Sequence, residues 1–428
     1  MTHFGIISPG STGPLNTMLP LGQELQRRGH RVTLFGIPDT QSKALAAGLE
    51  WRVVGNEEFP AGSTAECFAQ LGKLSGLAAL QYTINNLIKQ GAAVMLRDAP
   101  ASLEASGVEA LLVNQSSLEG GTVADFLDIP FVTVCSAVVL NLEPGVPPFN
   151  TLWEYSPAWW ARLRNQMGNQ LVNRVAKPIR DVIAEYRQEW NLPPHTHPND
   201  PYSQLAQLSQ APVEFEFPRQ ELPQWFHFTG SYHSSASREP VPFPYEKLTG
   251  KPLIYASMGT LQNRLIGVFQ DIALACEGLD AQLVISLGGS ASPESLPQLA
   301  GNPLVVGYAP QLEILTKATL MVTHAGMNTT MECLKSGVPM VAIPVANDQP
   351  GVAARIAWTG AGEVVPLNKL SVPRLRSAIG KVLTEDSYQK NALRLQEAIA
   401  RAGGVSRAAD IIEQAVSTRK PVLAQSLQ

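Results

Sequence analysis

The second half of the chain holds residues of the kind that grip an oxygen-rich anion. Thr323-His324-Ala325-Gly326-Met327-Asn328-Thr329 follows the apolar run Leu320-Met321-Val322. A strand that ends in His324-Ala325-Gly326 and passes into a helix starting near Asn328 offers unpaired backbone N–H groups. It also offers the positive end of a helix dipole, and the two together hold a phosphate without a metal ion. Gly326 lets the backbone approach a ligand closely. Near this turn in sequence stand Tyr308-Ala309-Pro310-Gln311, then Glu332 one turn into the helix, and the pair Asp348-Gln349. Ser257-Met258-Gly259-Thr260 forms a second Gly-containing loop after an apolar run. In the first half, Ser8-Pro9-Gly10-Ser11-Thr12-Gly13 lacks the lysine of an ATP-binding phosphate loop. Cys67, Cys135, Cys276 and Cys333 lie far apart in apolar surroundings, and His195 and His197 form no metal-ligand pattern.

These loops need strands and helices to position them. Phe4-Gly5-Ile6-Ile7 reads as a strand, Ser8 to Pro14 as a loop, Leu15 to Arg28 as a helix ended by Gly29, and Arg31 to Phe35 as the next strand. Glu109–Asn114, Gly120–Leu127 and Phe131–Val134 continue as strand, helix and strand, and Trp153–Trp190 reads as mostly helical. Pro240, Pro242, Pro244 and Gly250 mark a linker, after which the alternation restarts at Leu253–Ser257. The fold class is therefore α/β, with two doubly wound domains in tandem. The expected boundaries are residues 1–237, a linker at 238–252, a second domain at 253–405, and a C-terminal helix within 406–428 that lies back on the first domain. Ligands in such sheets sit at the carboxyl ends of the strands, so the cleft between the domains is the expected site.

Composition narrows the function. Hydrophobic residues make up 45% of the 428, and charged residues only 16%, against roughly 25% in an ordinary soluble domain. The first figure excludes global disorder. The 32 basic and 36 acidic residues give a net charge of -4, which argues against a general nucleic-acid binder. No run reaches the roughly 18 apolar residues of a membrane span, and no signal peptide is evident. With free buried thiols as well, a cytoplasmic protein is expected.

The run from Val306 to Gln311, then His324 to Thr329, Glu332, Gly337-Val338-Pro339 and Asp348-Gln349 resembles the nucleotide-sugar signature of the family-one glycosyltransferases. Those enzymes have two Rossmann-like domains, the GT-B architecture. The resemblance implies that His324, Asn328 and Thr329, with Gly326 between them, touch the diphosphate of a UDP-sugar, and that Glu332 accepts from the ribose hydroxyls. Tyr308 would stack on uracil beside Ala309 and Gln311, Asp348 and Gln349 would hold the sugar, and Ser257, Gly259 and Thr260 would form a second phosphate cradle. Ser257 to Gln262, Asn141 to Pro144, Phe217-Pro218-Arg219, Gly403-Gly404 and Ala408 to Gln414 are similar to the carotenoid branch, the zeaxanthin glucosyltransferases. The implied reaction is an inverting, metal-independent transfer of a hexose, glucose above all, to a hydroxyl of a lipophilic molecule such as a carotenoid. The UDP-sugar is a co-substrate, and no cofactor is implied. A sterol, terpenoid or phenolic acceptor fits the same signature.

The resemblance fails at the proton acceptors. The family's usual His position falls on Pro14 and its Asp position on Asn114. Proline has no side-chain proton acceptor, and an amide is a poor base. Three readings follow: Glu119 acts as base, donor activation suffices with water or Ser11 and Thr12 relaying the proton, or the protein binds nucleotide sugar or lipid without turnover. Glu119 reads equally as a solvated first-turn helix residue. Tyr82, Phe149 and Trp153 head the acceptor-side candidates, with Leu87, Ile88, Tyr155, Trp159 and Trp160 beside them. The Trp and Arg mixture of Trp153–Arg164 suits an interfacial helix touching lipid headgroups, and so a peripheral membrane contact. It suits an amphipathic helix with its aromatics in the core as well.

Overall fold

The computed structural model describes residues 1–71, 81–233, 241–259, 266–289 and 292–424; Thr260 and residues 238–240 of the expected linker lie outside these. Two all-parallel sheets dominate. The first is built from β1 (His3–Ile7), β2 (Arg31–Gly36), β3 (Glu50–Val53), β4 (Ala110–Asn114), β5 (Phe131–Cys135), β6 (Gln207–Ser209) and β7 (Phe226–Phe228). Their order is β3-β2-β1-β4-β5-β6-β7. The second is built from β8 (Leu253–Ser257), β9 (Gln282–Ser286), β10 (Leu304–Val306), β11 (Ala318–Thr323), β12 (Met340–Ala342) and β13 (Gly362–Val364). Here the order is β10-β9-β8-β11-β12-β13. Strands β1, β4 and β8 are buried along their whole length, which is what a sheet covered by helices on both faces requires. Each order reverses beside its first strand, so a crevice opens past β1 and β4 in one sheet and past β8 and β11 in the other.

Some elements depart from the sequence reading. The first helix spans Thr12–Arg27, so Thr12, Gly13 and Pro14 form its first turn and not a loop. The missing N–H of Pro14 costs nothing there, because the first N–H groups of a helix have no intrahelical partner. The segment Trp153–Ala158 is not helical; the helix begins at Trp159, after Ala158 in an extended conformation. Pro157 disfavours the helical region at the residue before it, so the helix starts only beyond it.

The chain returns to its first half at the end. Ala408, Ile412 and Ala415 of the helix Gly404–Thr418 share a core cluster with Phe4, Leu15 and Val32. Arg28 holds Asp410 at 2.6 Å and Glu413 at 2.7 Å, and His30 lies 2.8 Å from Glu413. A buried ion pair joins the halves elsewhere: Glu216 accepts from Arg355 at 2.5 and 2.9 Å, and Arg355 lies over the Phe217 ring at 4.4 Å.

Candidate functional site

The carboxyl edges of the two sheets face one another across a cavity of about 620 Å³. One wall comes from the second sheet. β11 ends at Thr323, the chain turns through Ala325 at φ 62°, and the helix Met327–Lys335 starts with Gly326 as its cap. That left-handed turn at a non-glycine residue aims the helix start and the His324 ring into the cavity. The ring is packed tightly. A Cβ on Gly326 would lie 2.5 Å from His324 Nε2, and one on Gly259, whose φ is 77°, would lie 2.7 Å from it. Both positions therefore need glycine. Burial lowers the His324 pKa to about 4, against a hydrogen bond to the Ser257 backbone carbonyl that raises it. The imidazole is thus neutral at physiological pH, with its single N–H donated to the Ser257 carbonyl, and it shapes the turn around the helix start.

Glu332 follows on the same helix, 1% exposed. Its Oε2 accepts from Gln311 Nε2 at 2.5 Å, and Oε1 lies 3.7 Å from His233 Nε2. Gln311 also reaches Thr329 Oγ1 at 3.4 Å and accepts from the Tyr255 hydroxyl at 3.4 Å. Tyr308 is 47% exposed and reaches the cavity near the mouth. Gln349 Oε1 accepts from the backbone N–H groups of Val345 and Ala346 at 2.9 and 3.0 Å, which fixes the loop before it. Burial raises the Asp348 carboxyl, while the Val138 N–H that donates to it opposes the rise. The described donor-side residues Ser257, Gly259, Tyr308, Ala309, Gln311, His324, Gly326, Asn328, Thr329, Glu332, Asp348 and Gln349 all line this cavity.

Asn328 has a further task. Its Oδ1 accepts from Thr17 Oγ1 at 3.2 Å, Gln210 Nε2 at 2.9 Å and His233 Nε2 at 3.0 Å. Its Nδ2 donates to the Gly13 carbonyl at 2.7 Å. These four bonds tie the second half of the chain to the first. Sequence reasoning missed Thr17, Gln210 and His233, none of which stands in a recognisable motif.

The opposite wall comes from the first half. Ser8 to Pro14 bring the start of the Thr12–Arg27 helix to the cavity. Thr12 Oγ1 accepts from Lys43 Nζ at 2.8 Å. A hydroxyl that receives a hydrogen bond from an ammonium is a weaker proton acceptor, which disfavours Thr12 as a relay. Asn114 does not line the cavity. It is buried and organises the turn after β4, donating to Ser136 Oγ at 2.9 Å and accepting from Ser116 N–H and Oγ–H at 3.1 and 2.7 Å. Glu119 does line it, and it is only 8% exposed, contrary to the solvated alternative. It precedes the helix Gly120–Leu127. Burial lifts its carboxyl to about 7, in spite of hydrogen bonds from its own N–H and from Ser117. A group poised there can take a proton at neutral pH.

The acceptor-side candidates divide. Leu87 and Ile88 line the cavity with Ile37, Phe59, Ala92 and Met95, forming an apolar wall. Tyr82, Phe149 and Trp153 do not. Tyr82 is half-buried, its hydroxyl hydrogen-bonded with Cys67, which does line the cavity. The Phe149 backbone presses on Gly351, where a Cβ would lie 2.0 Å from the Phe149 carbonyl oxygen. Trp153 packs against Gly168 and under the Arg164 guanidinium at 4.8 Å. Ile37 could have been found from sequence, since it directly follows β2. Phe59 and Met95 carry no signal of their own. Among the described residues no group of three His, Cys, Asp or Glu side chains is placed to hold a metal ion, and no helix is long and apolar enough to cross a membrane.

The family model described as "UDP-glucoronosyl and UDP-glucosyl transferase" matches residues 57–400. The zeaxanthin glucosyltransferase of Pantoea ananas is 32% identical over 428 residues, covering 100% of this chain and 99% of that one. The zeaxanthin glucosyltransferase of Pseudescherichia vulneris is 30% identical over 425 residues, covering 99% and 100%. Among solved structures, the glycotransferase of kitacinnamycin superposes with a TM-score of 0.75 at 22% identity, covering 96% of this chain and 98% of its own. The glycosyltransferase VinC, solved in complex with dTDP, superposes with a TM-score of 0.70 at 19% identity, covering 98% and 100%. These two likenesses establish the shared two-sheet GT-B architecture.

Proposed function

Because the chain belongs to the UDP-glucoronosyl and UDP-glucosyl transferase family, we propose that it transfers glucose from UDP-glucose to a hydroxyl of a carotenoid such as zeaxanthin. The observation that carries this reading is one cavity with two unlike walls. A polar wall around His324, Asn328 and Glu332 faces an apolar wall around Ile37, Phe59 and Met95. The names of the two relatives aligned over their full length support the acceptor class.

In this reading the acceptor hydroxyl attacks the anomeric carbon from the side opposite the diphosphate, and the configuration inverts. Glu119 takes the hydroxyl proton. The diphosphate leaves toward the start of the Met327–Lys335 helix, where the backbone N–H groups stabilise its growing charge and His324 lines the turn. Glu332 releases Gln311 to accept from the ribose, and Tyr308 stacks on the base. Thr329, Asp348 and Gln349 complete the donor side. No resident metal or cofactor enters this scheme. The protein works in the cytoplasm and meets its lipophilic acceptor through peripheral contact with a membrane.

The test is mass spectrometry of the full chain incubated with UDP-glucose and zeaxanthin. The expected product is zeaxanthin heavier by one or two hexosyl groups, with UDP released in step. Release of UDP only with a sterol, terpenoid or phenolic alcohol would move the acceptor assignment. UDP binding without turnover of any acceptor would overturn the reading in favour of a nucleotide-sugar-binding homologue.

A further inference from the structure

The helix Trp159–Val175 is turned inside out. Its buried face carries Ala161, Asn165 and Asn169. The two amides fasten it to the fold by donating to the backbone carbonyls of Pro144 at 3.3 Å and Glu143 at 3.1 Å. Its apolar side chains face the other way: Trp159, Trp160, Leu163, Met167 and Leu171 are each between 51% and 78% exposed. At 3.6 residues per turn these five fall within one arc of about 120°, which Gln170 and Arg174 also enter toward the helix's C-terminal end. Burying apolar surface is the main force that folds a chain, and a contiguous outward stripe marks a surface that something covers.

Charge identifies what covers it. The helix contains Arg162, Arg164 and Arg174 and no acidic residue. Arg164 lies over the rings of Trp153 and Trp160 at 4.8 and 5.5 Å, at the border of the stripe. Arg162 reaches Glu221 only at 3.6 Å, with both side chains about half exposed. A second copy of this chain docking by the same face would bring two arginine-bearing helices together with no acidic residue on either to pair with them. A stripe of Trp, Leu and Met edged by arginine instead matches a helix lying in the headgroup plane, with its apolar face in the acyl boundary.

We propose that the Trp159–Val175 helix docks onto lipid bilayers that carry anionic headgroups. The proposal extends the lipophilic-acceptor reading, and it gives the cavity a position. The next helix, Lys177–Glu189, packs on residues 83–89, whose Leu87 and Ile88 line the apolar wall. Docking would thus hold that wall beside the phase where a lipophilic alcohol resides.

The test is flotation of the full chain with phosphatidylcholine vesicles and with vesicles in which a third of the lipid is phosphatidylglycerol. Two variants accompany it: Leu163→Ser/Met167→Ser/Leu171→Ser, and Arg162→Gln/Arg164→Gln/Arg174→Gln. The wild type is expected to favour the anionic vesicles by roughly tenfold or more. The first variant should lose binding to both, and the second should lose the anionic preference. Melting temperatures should stay within a few degrees, because the replaced side chains lie largely outside the core. Equal partition of all three proteins would overturn the proposal. So would a dimer that the Leu/Met variant dissociates while the wild type ignores vesicles. Turnover of UDP-glucose with a detergent-held acceptor is read separately, so failure of the reaction and failure of the surface are distinguishable.

Discussion

Replacing Glu119 by Gln should make the protein more stable and less active at once. The carboxyl is 8% exposed in the cavity wall, and burial lifts it from 4.5 to about 7. At roughly 1.4 kcal/mol per pH unit, that difference is worth about 3 kcal/mol. Between these two values the folded chain holds a proton that the unfolded chain has released. Stability therefore falls as the pH rises from about 4.5 to about 7, and stays reduced above that. Glutamine keeps the shape and carries no charge, so the penalty disappears. Denaturant unfolding at pH 8 should show the variant more stable by up to about 3 kcal/mol, with no gain at pH 4. If the carboxylate is the base, kcat/KM of the wild type should rise with pH through about 7. The variant should fall by roughly 10²- to 10⁴-fold at pH 8. A wild-type rate in Glu119→Gln would remove it from the mechanism. A loss of stability at pH 8 would show that the ionised carboxylate has a compensating partner, and the burial argument would be wrong.

The remaining expectations concern the donor side and the seam between the halves. Asn328→Ala strips the acceptor from Thr17, Gln210 and His233 together, so it should cost about 1–3 kcal/mol of stability in addition to weakening UDP binding; calorimetry with UDP and a denaturation curve check the two separately. Gly326→Ala should displace the His324 ring, from which its Cβ would be 2.5 Å, lower UDP affinity by roughly tenfold, about 1.4 kcal/mol, and cost about 1–3 kcal/mol of stability through overpacking. Glu216→Gln breaks the buried pair with Arg355 and should cost about 3–5 kcal/mol in denaturant unfolding, much of it recovered by adding Arg355→Met. Dialysis against a chelator should leave the transfer rate unchanged; a loss restored by a divalent cation would contradict the proposed departure of the diphosphate onto backbone N–H groups.

How much of this was legible in the sequence depended on how local the cause is. The donor wall was legible because a strand end, a turn and a helix start are contiguous in the chain: β11, Ala325 and the Met327–Lys335 helix occupy the order that Thr323 to Thr329 suggested. The acceptor wall was not, because it is assembled from the end of β2, the loop holding Phe59 and the helix holding Met95, which meet only through the sheet order. Aromatic content misled there. Phe149, Trp153 and Tyr155 looked like pocket residues, yet Tyr155 stacks on Phe217 at 5.7 Å and meets Trp358 at 5.2 Å on the far side of the seam. The spacing of Trp159, Leu163, Met167 and Leu171 predicts a helix with one apolar face, but periodicity alone does not say which face turns inward. The amides of Asn165 and Asn169 decided that, through carbonyls some twenty residues upstream.

The same distinction bears on Pro14. In sequence it stands where the resemblance puts a histidine, and that fits replacement of the base as well as its loss. In the fold it sits in the first turn of a helix, where a proline is tolerated, and the neighbouring Gly13 carbonyl is the atom that Asn328 grips. The turn therefore still has work that preserves its geometry: it fixes the first half of the chain against the anion turn of the second. A reaction that removes a proton needs a proton acceptor within reach of the reacting hydroxyl, not at one particular chain position. In the proposed transfer Glu119 is that group; it lines the cavity on the segment after β4, where Asn114 serves as a structural amide. An ionisable group buried in a cavity wall at a cost to stability is a candidate for chemistry, and the Glu119→Gln variant tests that role directly.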